Sequence, residues 1–344
     1  MPTRILSMVL TLSLSATASI AADTSLEERA RQLLRPLPAR FDSDANPITP
    51  DKVALGKRLY FDARLSKNHD VSCNSCHDLA KYGVDGLPTS TGHKKQKGDR
   101  NAPTVYNAGA HFAQFWDGRA KDLEEQAKGP ILNPVEMAMA DAASVEAVVA
   151  SIPGYAPLFA KAFPNQEKPI TYDNIAKAIG AFERTLVTPS KVDAFLAGKS
   201  AALNAAEKAG LSLFLEVGCI TCHNGPGVGG GMYQKLGLVA PFPDLKDEGR
   251  AKVTKSEDDR FIFKVPSLRN IEKTGPYLHD GSVAKLETMV TLMGRHQLGR
   301  ELKPEEVKSL VTFLKALTGP LPKASIAAPK PLPSGKDTPK ADPS

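Results

Sequence analysis

The four cysteines of this 344-residue chain fall into two copies of one short pattern. The sequence reads C-N-S-C-H at residues 73–77 and C-I-T-C-H at residues 219–223. In the spacing C-x-x-C-H, two thiols can add to the vinyl groups of a porphyrin, and the adjacent histidine can ligate its iron. The pattern predicts two covalently bound haem c groups, attached through Cys73, Cys76, Cys219 and Cys222, with His77 and His223 as axial ligands.

Other uses of paired cysteines explain the pattern less well. Two structural disulfides would suit an exported protein, but they leave the histidine after each pair unexplained. Zinc motifs rarely repeat with a histidine directly after the second cysteine. A thioredoxin-like pair needs a βαβ setting, whereas the surrounding sequence looks helical. Haem attachment is therefore the favoured interpretation.

The second axial position of each iron distinguishes an electron carrier from an enzyme. Met293, with Met289 as a competitor, lies downstream of the second motif, and a thioether ligand stabilises ferrous iron. A lone methionine at helical spacing is, however, usually part of a core. His93 lies in a polar loop sixteen residues after His77 and would block its iron as a second ligand. On spacing alone, a solvated loop histidine is the favoured interpretation of His93.

Glu136 is a candidate acid–base residue in the sequence N-P-V-E-M, residues 133–137. Cleavage of a peroxide needs a group that takes a proton from one oxygen and returns it to the other, and a carboxylate near the iron could do both. On its own, a glutamate after a proline is far more often a helix N-terminal residue, which the helix dipole favours.

The chain contains an internal repeat around its two motifs. Residues 103–107, P-T-V-Y-N, correspond to residues 266–270, P-S-L-R-N. Thirteen residues after each proline comes Trp116 or His279, and seven residues further on each copy has a leucine. Upstream, L-G-K-R-L-Y-F at 55–61 resembles A-G-L-S-L-F at 209–214. These matched spacings indicate two copies of one haem-binding unit.

The periodicity of apolar residues predicts helices rather than strands. Residues 173–186, 205–217 and 304–317 have apolar side chains at helical spacing. The Gly- and Pro-rich runs at 225–231 and 241–243 indicate loops. The predicted fold class is mostly α, with two cytochrome c-like haem domains related by internal duplication and long loops.

Both ends of the chain differ in composition from the rest. Residues 1–22 have a basic start, a short apolar run and small residues before Ala22, which is typical of a secretory signal peptide. Residues 323–344 are rich in Pro, Lys, Ala and Ser, and we expect a disordered tail there. This leaves an N-terminal haem domain at 23–188 and a C-terminal haem domain at 189–322.

The charge pattern argues against nucleic acid as a partner, and the lengths of the apolar runs argue against a membrane span. The formal net charge is +6, but no run of Lys and Arg forms a stripe for nucleic acid, and the densest cluster is the short run at 94–97. No later segment approaches 18 consecutive apolar residues, so no membrane span is expected.

Longer strings resemble one known family, the bacterial di-haem cytochrome c peroxidases. The resemblance runs from about Leu33 to Gly319 and is strongest around the first motif and at F-W-D-G-R-A-K-D-L, residues 115–123. It continues at Q-A-K-G-P, residues 126–130, and P-Y-L-H-D-G, residues 276–281. These strings are far more specific than C-x-x-C-H alone.

The resemblance implies roles for individual residues. His77 resembles the proximal ligand of a peroxidatic, low-potential haem, and His93 its displaceable distal ligand. His223 and Met293 resemble the axial pair of a high-potential haem that transfers electrons. The remaining implied roles are Glu136 as catalytic glutamate, Gln126 as its polar neighbour, Trp116 between the haems, and Asn101, Thr274 and Pro276 as ligands of a calcium ion, the last two through carbonyls.

The resemblance also implies an activity. The expected enzyme is a periplasmic cytochrome c peroxidase that reduces hydrogen peroxide with two electrons, taken one at a time from a small cytochrome c or a copper protein. The C-terminal haem accepts these electrons and the N-terminal haem reacts with peroxide once reduction has released His93. A homodimer is expected as the active form.

Three rival functions are weaker. A di-haem electron carrier would need neither Glu136, Gln126 nor a removable His93. Related enzymes that mature quinone cofactors carry tyrosine where this chain has Met293 and lack the distal histidine. A disulfide-bonded structural protein would bind no haem.

Overall fold

The computed structural model describes residues 25–344, so the predicted signal peptide at 1–22 lies outside the described residues. This part of the chain is mostly helical, which confirms the predicted fold class. Its helices are α1 Leu26–Leu33, α2 Pro50–Phe61, α3 Cys73–Cys76, α4 Leu123–Leu132, α5 Ala142–Ala150, α6 Tyr155–Ala162, α7 Tyr172–Glu183, α8 Lys191–Leu196, α9 Ala205–Glu216, α10 Ala251–Thr254, α11 Leu286–Leu298, α12 Pro304–Ala316 and α13 Lys323–Ile326.

Strand structure within residues 25–344 is limited to one antiparallel pair. Strand β1 Tyr233–Lys235 pairs with β2 Ile262–Lys264, with Gln234 opposite Phe263. Within the same range no single helix has the length and apolar character to cross a membrane; only the bent pair α5–α6 passes that test by length and composition.

The three helices predicted from periodicity are present as α7, α9 and α12. Each starts where the sequence provides a start signal. The side chain of Thr171 accepts a hydrogen bond from the Asn174 N–H before α7, and Asn204 forms a capping box with Glu207 before α9. Helix α12 begins with Pro304, whose fixed backbone angle suits the first helical position.

The N-terminal core is built on the crossing of α2 and α7. At the crossing, Gly56 lies against Ala178, and a Cβ at Gly56 would overlap the Ala178 carbonyl oxygen. The two helix backbones can approach this closely only because Gly56 has no side chain. Tyr60 and Phe182 pack beside the crossing, and helices α4, α5 and α6 complete the core.

The C-terminal core repeats this arrangement with α9 and α12. Here Gly210 lies against Ser309, and a Cβ at Gly210 would overlap the Ser309 carbonyl oxygen. The core also takes in Ala30 and Leu34 from the N-terminal end. Residues 25–34, which we assigned to the N-terminal domain, therefore pack in the C-terminal one, where the Arg31 Nε donates to the Leu196 carbonyl at 2.7 Å.

The loops after the crossings confirm the duplication. Asn107 and Asn270 both have a φ of 60°, and a turn with positive φ recurs at Phe115 (65°) and Leu278 (73°). The side-chain amides of both asparagines donate to the Thr188 hydroxyl, each at 2.8 Å. Thr188 is buried and lies at the junction of the two repeats.

The C-terminal segment differs from the expectation of a disordered tail. After α13, residues 327–344 follow an irregular course along the N-terminal domain. Arg58 donates to the Lys330 carbonyl at 2.9 Å and Arg64 to the Leu332 carbonyl at 2.9 Å, while Leu332 packs on the N-terminal core. The segment is low in apolar residues, but two of its backbone carbonyls accept hydrogen bonds from arginines of α2 and the following turn.

Candidate functional site

The first motif forms a short helix at the edge of the N-terminal core. The Cys73 and Cys76 side chains, on helix α3, form no disulfide, and neither does any other cysteine within residues 25–344. Burial raises the pKa of both thiols, that of Cys76 to about 11. Tyr60 Oη donates to the His77 carbonyl at 2.6 Å and fixes the end of the motif against α2.

His77 has the hydrogen bond expected of an iron ligand. Its Nδ1 lies 2.9 Å from the Pro103 carbonyl oxygen, which makes Nδ1 the donor and leaves the lone pair of Nε2 for a metal. Burial lowers the pKa of His77, which keeps the imidazole neutral as ligation requires. Pro103 is the first residue of the repeated P-T-V-Y-N string, so the repeat supplies this partner.

One cavity brings the N-terminal candidates together. Gln126 and Glu136 line the same cavity as the Cys73–His77 motif. Glu136 Oε1 accepts a hydrogen bond from Asn133 Nδ2 at 2.8 Å, and burial raises the pKa of the Glu136 carboxyl, opposed by the nearby Arg119. A buried carboxyl beside a haem site can take up and release a proton. Its role stays a prediction.

His93 lies beside this cavity rather than among the residues that line it. Its backbone N–H donates to the Glu136 carbonyl at 2.8 Å, and the side chain is only 5% exposed. Nε2 lies 3.4 Å from the Ser344 carbonyl oxygen, and Nδ1 is buried with no hydrogen-bond partner in residues 25–344. A left-handed turn at Lys94 and Lys95 follows it. The structure thus couples His93 to Glu136 through the backbone.

A second, larger cavity surrounds the second motif. It is lined by Cys219, Cys222 and His223 together with Met289 and Met293, which lie one turn apart on α11. Burial lowers the pKa of His223 to about 4, and its Nδ1 is a buried atom without a hydrogen-bond partner among the described residues. Both methionines line this cavity, so both remain candidates for the second iron ligand. Paired thiols beside a neutral, buried histidine in each cavity fit covalently attached haem.

The repeat spacing relates the two cavity walls residue by residue. The offset that relates Leu123 to Leu286 also relates Gln126 to Met289 and Pro130 to Met293. Gln126 and Pro130 line the cavity of the first motif, and Met289 and Met293 line that of the second. Helix α4 therefore offers an amide and a proline where α11 offers two thioethers. An axial ligand for the N-terminal iron has to come from another segment.

Trp116 reaches from the N-terminal domain into the wall of the C-terminal cavity. Its Nε1 donates to the Asn101 carbonyl at 2.9 Å, and its own carbonyl accepts the Lys264 N–H at 2.7 Å. The predicted calcium ligands Asn101, Thr274 and Pro276 line the same cavity. The structure gathers these residues at the boundary of the domains; the calcium site itself stays a prediction.

Comparison with known proteins gives a consistent result. A family model described as di-haem cytochrome c peroxidase matches residues 50–201. A cytochrome c551 peroxidase of Nitrosomonas europaea is 49% identical over 334 residues, covering 96% of each protein. One from Pseudomonas aeruginosa is 46% identical over 319 residues, covering 91% of this chain and 92% of that protein. The chain belongs to the di-haem cytochrome c peroxidase family.

A solved structure supports the same family. A MauG-like protein associated with microbial copper homeostasis aligns with a TM-score of 0.77 and 30% identity, over 85% of this chain and 97% of that one. The resemblance seen in the sequence is confirmed, and with it the enzyme class, a cytochrome c peroxidase.

One residue of the peroxidase cavity was not predicted from the sequence. Glu183, at the end of α7, is 4% exposed and lines the cavity of the first motif. Glu183 lies on the inner face of a helix. Because a glutamate is almost never fully buried without a partner, this position could have identified it as a functional candidate. Sequence reasoning treated this helix only as packing.

Proposed function

We propose that this protein is a periplasmic enzyme that reduces hydrogen peroxide to water with electrons taken one at a time from a small cytochrome c or a copper protein. The C-terminal haem accepts the electrons, and the N-terminal haem is the site of peroxide reduction. The observation that carries this proposal is the contrast between the cavity walls. Gln126, Pro130 and Glu136 line the first cavity, whereas Met289 and Met293 line the second.

The two motifs hold the cofactors. A covalently bound haem supplies an iron that exchanges single electrons and can leave one axial position open. The cysteines tether it, and His77 presents Nε2 because the Pro103 carbonyl holds its Nδ1 proton. Met293 is the proposed second ligand of the C-terminal iron, where a soft thioether raises the potential.

Glu136 moves the proton. Reduction of hydrogen peroxide breaks the O–O bond and consumes two electrons and two protons to give two waters. Glu136 takes a proton from one peroxide oxygen and returns it to the other oxygen, which leaves as water. Asn133 Nδ2 holds the carboxyl in place through its 2.8 Å bond to Oε1, and Gln126 supplies a polar group in the same cavity wall.

His93 gates this cavity. As a ligand of the iron in the resting form, His93 would exclude peroxide, and its loop would be released once the enzyme is reduced. The 2.8 Å bond from the His93 N–H to the Glu136 carbonyl supports this coupling, since a movement of the loop also shifts the backbone of Glu136. Trp116 would connect the domains for electron transfer. Asn101, Thr274 and Pro276 would hold a calcium ion at the domain boundary. We expect the active form to be a homodimer.

The first experiment follows oxidation of reduced cytochrome c by peroxide. Fully oxidised enzyme is compared with enzyme reduced by one electron, for the wild type, His93→Ala and the matched control Lys94→Ala. We expect turnover in the wild type and the control only after pre-reduction, and turnover of His93→Ala in both states.

Each outcome separates the parts of the proposal. Equal turnover of oxidised and pre-reduced wild type would retain the peroxidase but reject gating by His93. No turnover in any state, from a protein that carries two haems, would indicate the electron carrier instead. Fractionation of the native host tests the periplasmic location, and its failure would not affect the chemistry.

A further inference from the structure

Glu183 is a buried carboxyl that the proposed reaction does not use. It is 4% exposed and lines the N-terminal cavity, and its Oε2 has no hydrogen-bond partner in the part of the chain that the structure describes. A carboxylate left in such a place without a partner is expensive, so the group must be neutral or face a ligand. The lack of a partner for this oxygen therefore has to be explained by what the cavity binds.

The other half of the molecule shows that the cavity wall does not require this carboxyl. At the helix crossings, Gly56 lies on Ala178 and Phe182, and Gly210 lies on Ser309 and Phe313. These contacts align α7 with α12 and make Leu314 the counterpart of Glu183. Leu314 is 5% exposed and lines the C-terminal cavity. A leucine completes the wall in one copy, whereas a glutamate does so in the other.

The groups around Glu183 leave it without a countercharge. Arg184, the residue that follows α7, forms an ion pair with Glu124 of α4 at 2.9 Å instead. Tyr60 of α2 and Cys73 of α3 face it from the other helices, and neither carries a positive charge. Burial, followed by the charge on Glu124, raises the pKa of Glu183 to about 8, against a smaller opposing effect of Arg184. These surroundings therefore favour the neutral, proton-bearing form of the carboxyl.

We propose that Glu183 is a proton-holding residue of the N-terminal haem cavity, which binds a proton when that haem gains an electron, so that the reduction potential of this haem alone depends on pH. The inference rests on the proposed function, which places a haem in this cavity. One electron enters from the C-terminal haem and one proton passes from solvent to the Glu183 carboxylate; both leave on reoxidation. The proton offsets the added negative charge, which a low-dielectric cavity would otherwise oppose strongly.

Spectroelectrochemical titration of the two-haem protein tests this inference. In the wild type the potential of the N-terminal haem should fall as the pH rises through the range in which Glu183 releases its proton. The limiting slope for one proton per electron is about 59 mV per pH unit, because a tenfold change in the equilibrium constant of a one-electron couple corresponds to about 59 mV. In Glu183→Leu, which installs the residue of the other copy, and in the near-isosteric Glu183→Gln, this slope should be lost. The slope of the C-terminal haem should be the same in all three proteins.

A spectroscopic signature provides an independent readout. The infrared difference spectrum between oxidised and reduced protein should contain a protonated-carboxyl C=O band that disappears in Glu183→Gln. Glu125→Gln, an exposed position on α4, is the matched control and should retain both the band and the slope. If Glu183→Leu fails to fold, Glu183→Gln alone decides the question.

The possible failures are distinguishable. Mass spectrometry of the wild type shows whether haem is attached at the first motif; its absence would reject the proposed function together with this inference. A haem that is present, with a slope unchanged in both Glu183 variants, would overturn the inference and leave the peroxidase intact.

Discussion

Gln126, Glu136 and Glu183 line the cavity of the N-terminal domain, whereas Met289, Met293 and Leu314 line that of the C-terminal domain. The helix crossings and the positive-φ turns are nevertheless common to both halves. The duplicated frame therefore holds a haem site in each half, and the side chains on α4, α7 and the loop after α4 differentiate them. One cavity is equipped to move protons, and the other is equipped to hold a soft ligand.

The largest expected effect is on the acid–base residue. Glu136→Gln keeps the size of the side chain but removes its proton transfer, so peroxide turnover should fall by roughly 10²–10⁴-fold. Reduction of the C-terminal haem by the electron donor should be unchanged, because Glu136 lies in the other cavity. Steady-state kinetics and a reduction assay measure the two effects. A loss below about tenfold would contradict the proton role of Glu136.

The second effect concerns a buried ion pair of the C-terminal half. Arg269 is fully buried, and its guanidinium lies 2.5 Å from Asp193, whereas the same repeat position in the N-terminal half is Tyr106. Arg269→Leu leaves Asp193 unpaired and should lower the free energy of unfolding by about 3–5 kcal/mol. Tyr106→Phe loses one hydrogen bond to the Leu79 carbonyl and should cost about 1 kcal/mol.

This pair also predicts an acid sensitivity of the C-terminal half. Burial alone would raise the pKa of Asp193, but the charge and hydrogen bond of Arg269 hold it below its ordinary value. The folded protein thus binds the proton less readily than the unfolded chain, and the stabilisation present above about pH 4 is lost as the pH falls below it. Thermal unfolding across this range should show that loss in the wild type and little of it in Arg269→Leu.

A smaller effect tests whether the two crossings are equivalent. Gly56→Ala and Gly210→Ala each force a Cβ against a backbone carbonyl, of Ala178 or Ser309, and should each cost about 1–3 kcal/mol. The overlap is closer at Gly56, so this variant should be the less stable one. Because each crossing borders one cavity, each variant should disturb the absorption of its own haem first. Equal disturbance of both haems by either variant would contradict two separate cores.

The smallest effect concerns the C-terminal segment, which the N-terminal half alone uses. Leu332→Ala removes a half-buried contact with that core and should cost about 1 kcal/mol. The exposed Lys336→Ala is the control and should change the unfolding temperature little. An effect of Leu332→Ala on the C-terminal haem spectrum would argue against this assignment.

Much of this protein was predictable because its signals are local. C-x-x-C-H predicts haem attachment within five residues, and segments with apolar residues at helical spacing predicted α7, α9 and α12. The repeat from Pro103 and Pro266 predicted the duplication, and the structure shows Pro103 as the partner of His77. Such features depend on neighbours in the sequence, which a pattern records directly.

Other features depend on contacts between distant segments, which no local pattern records. Helix α1, predicted to belong to the N-terminal domain, packs with the C-terminal core. Residues 327–344, predicted to be disordered, lie on the N-terminal domain. Glu183 is the clearest case. The sequence determined that a glutamate ends a helix, but only the crossing of α7 over α2 decided that its carboxyl faces a cavity without a countercharge.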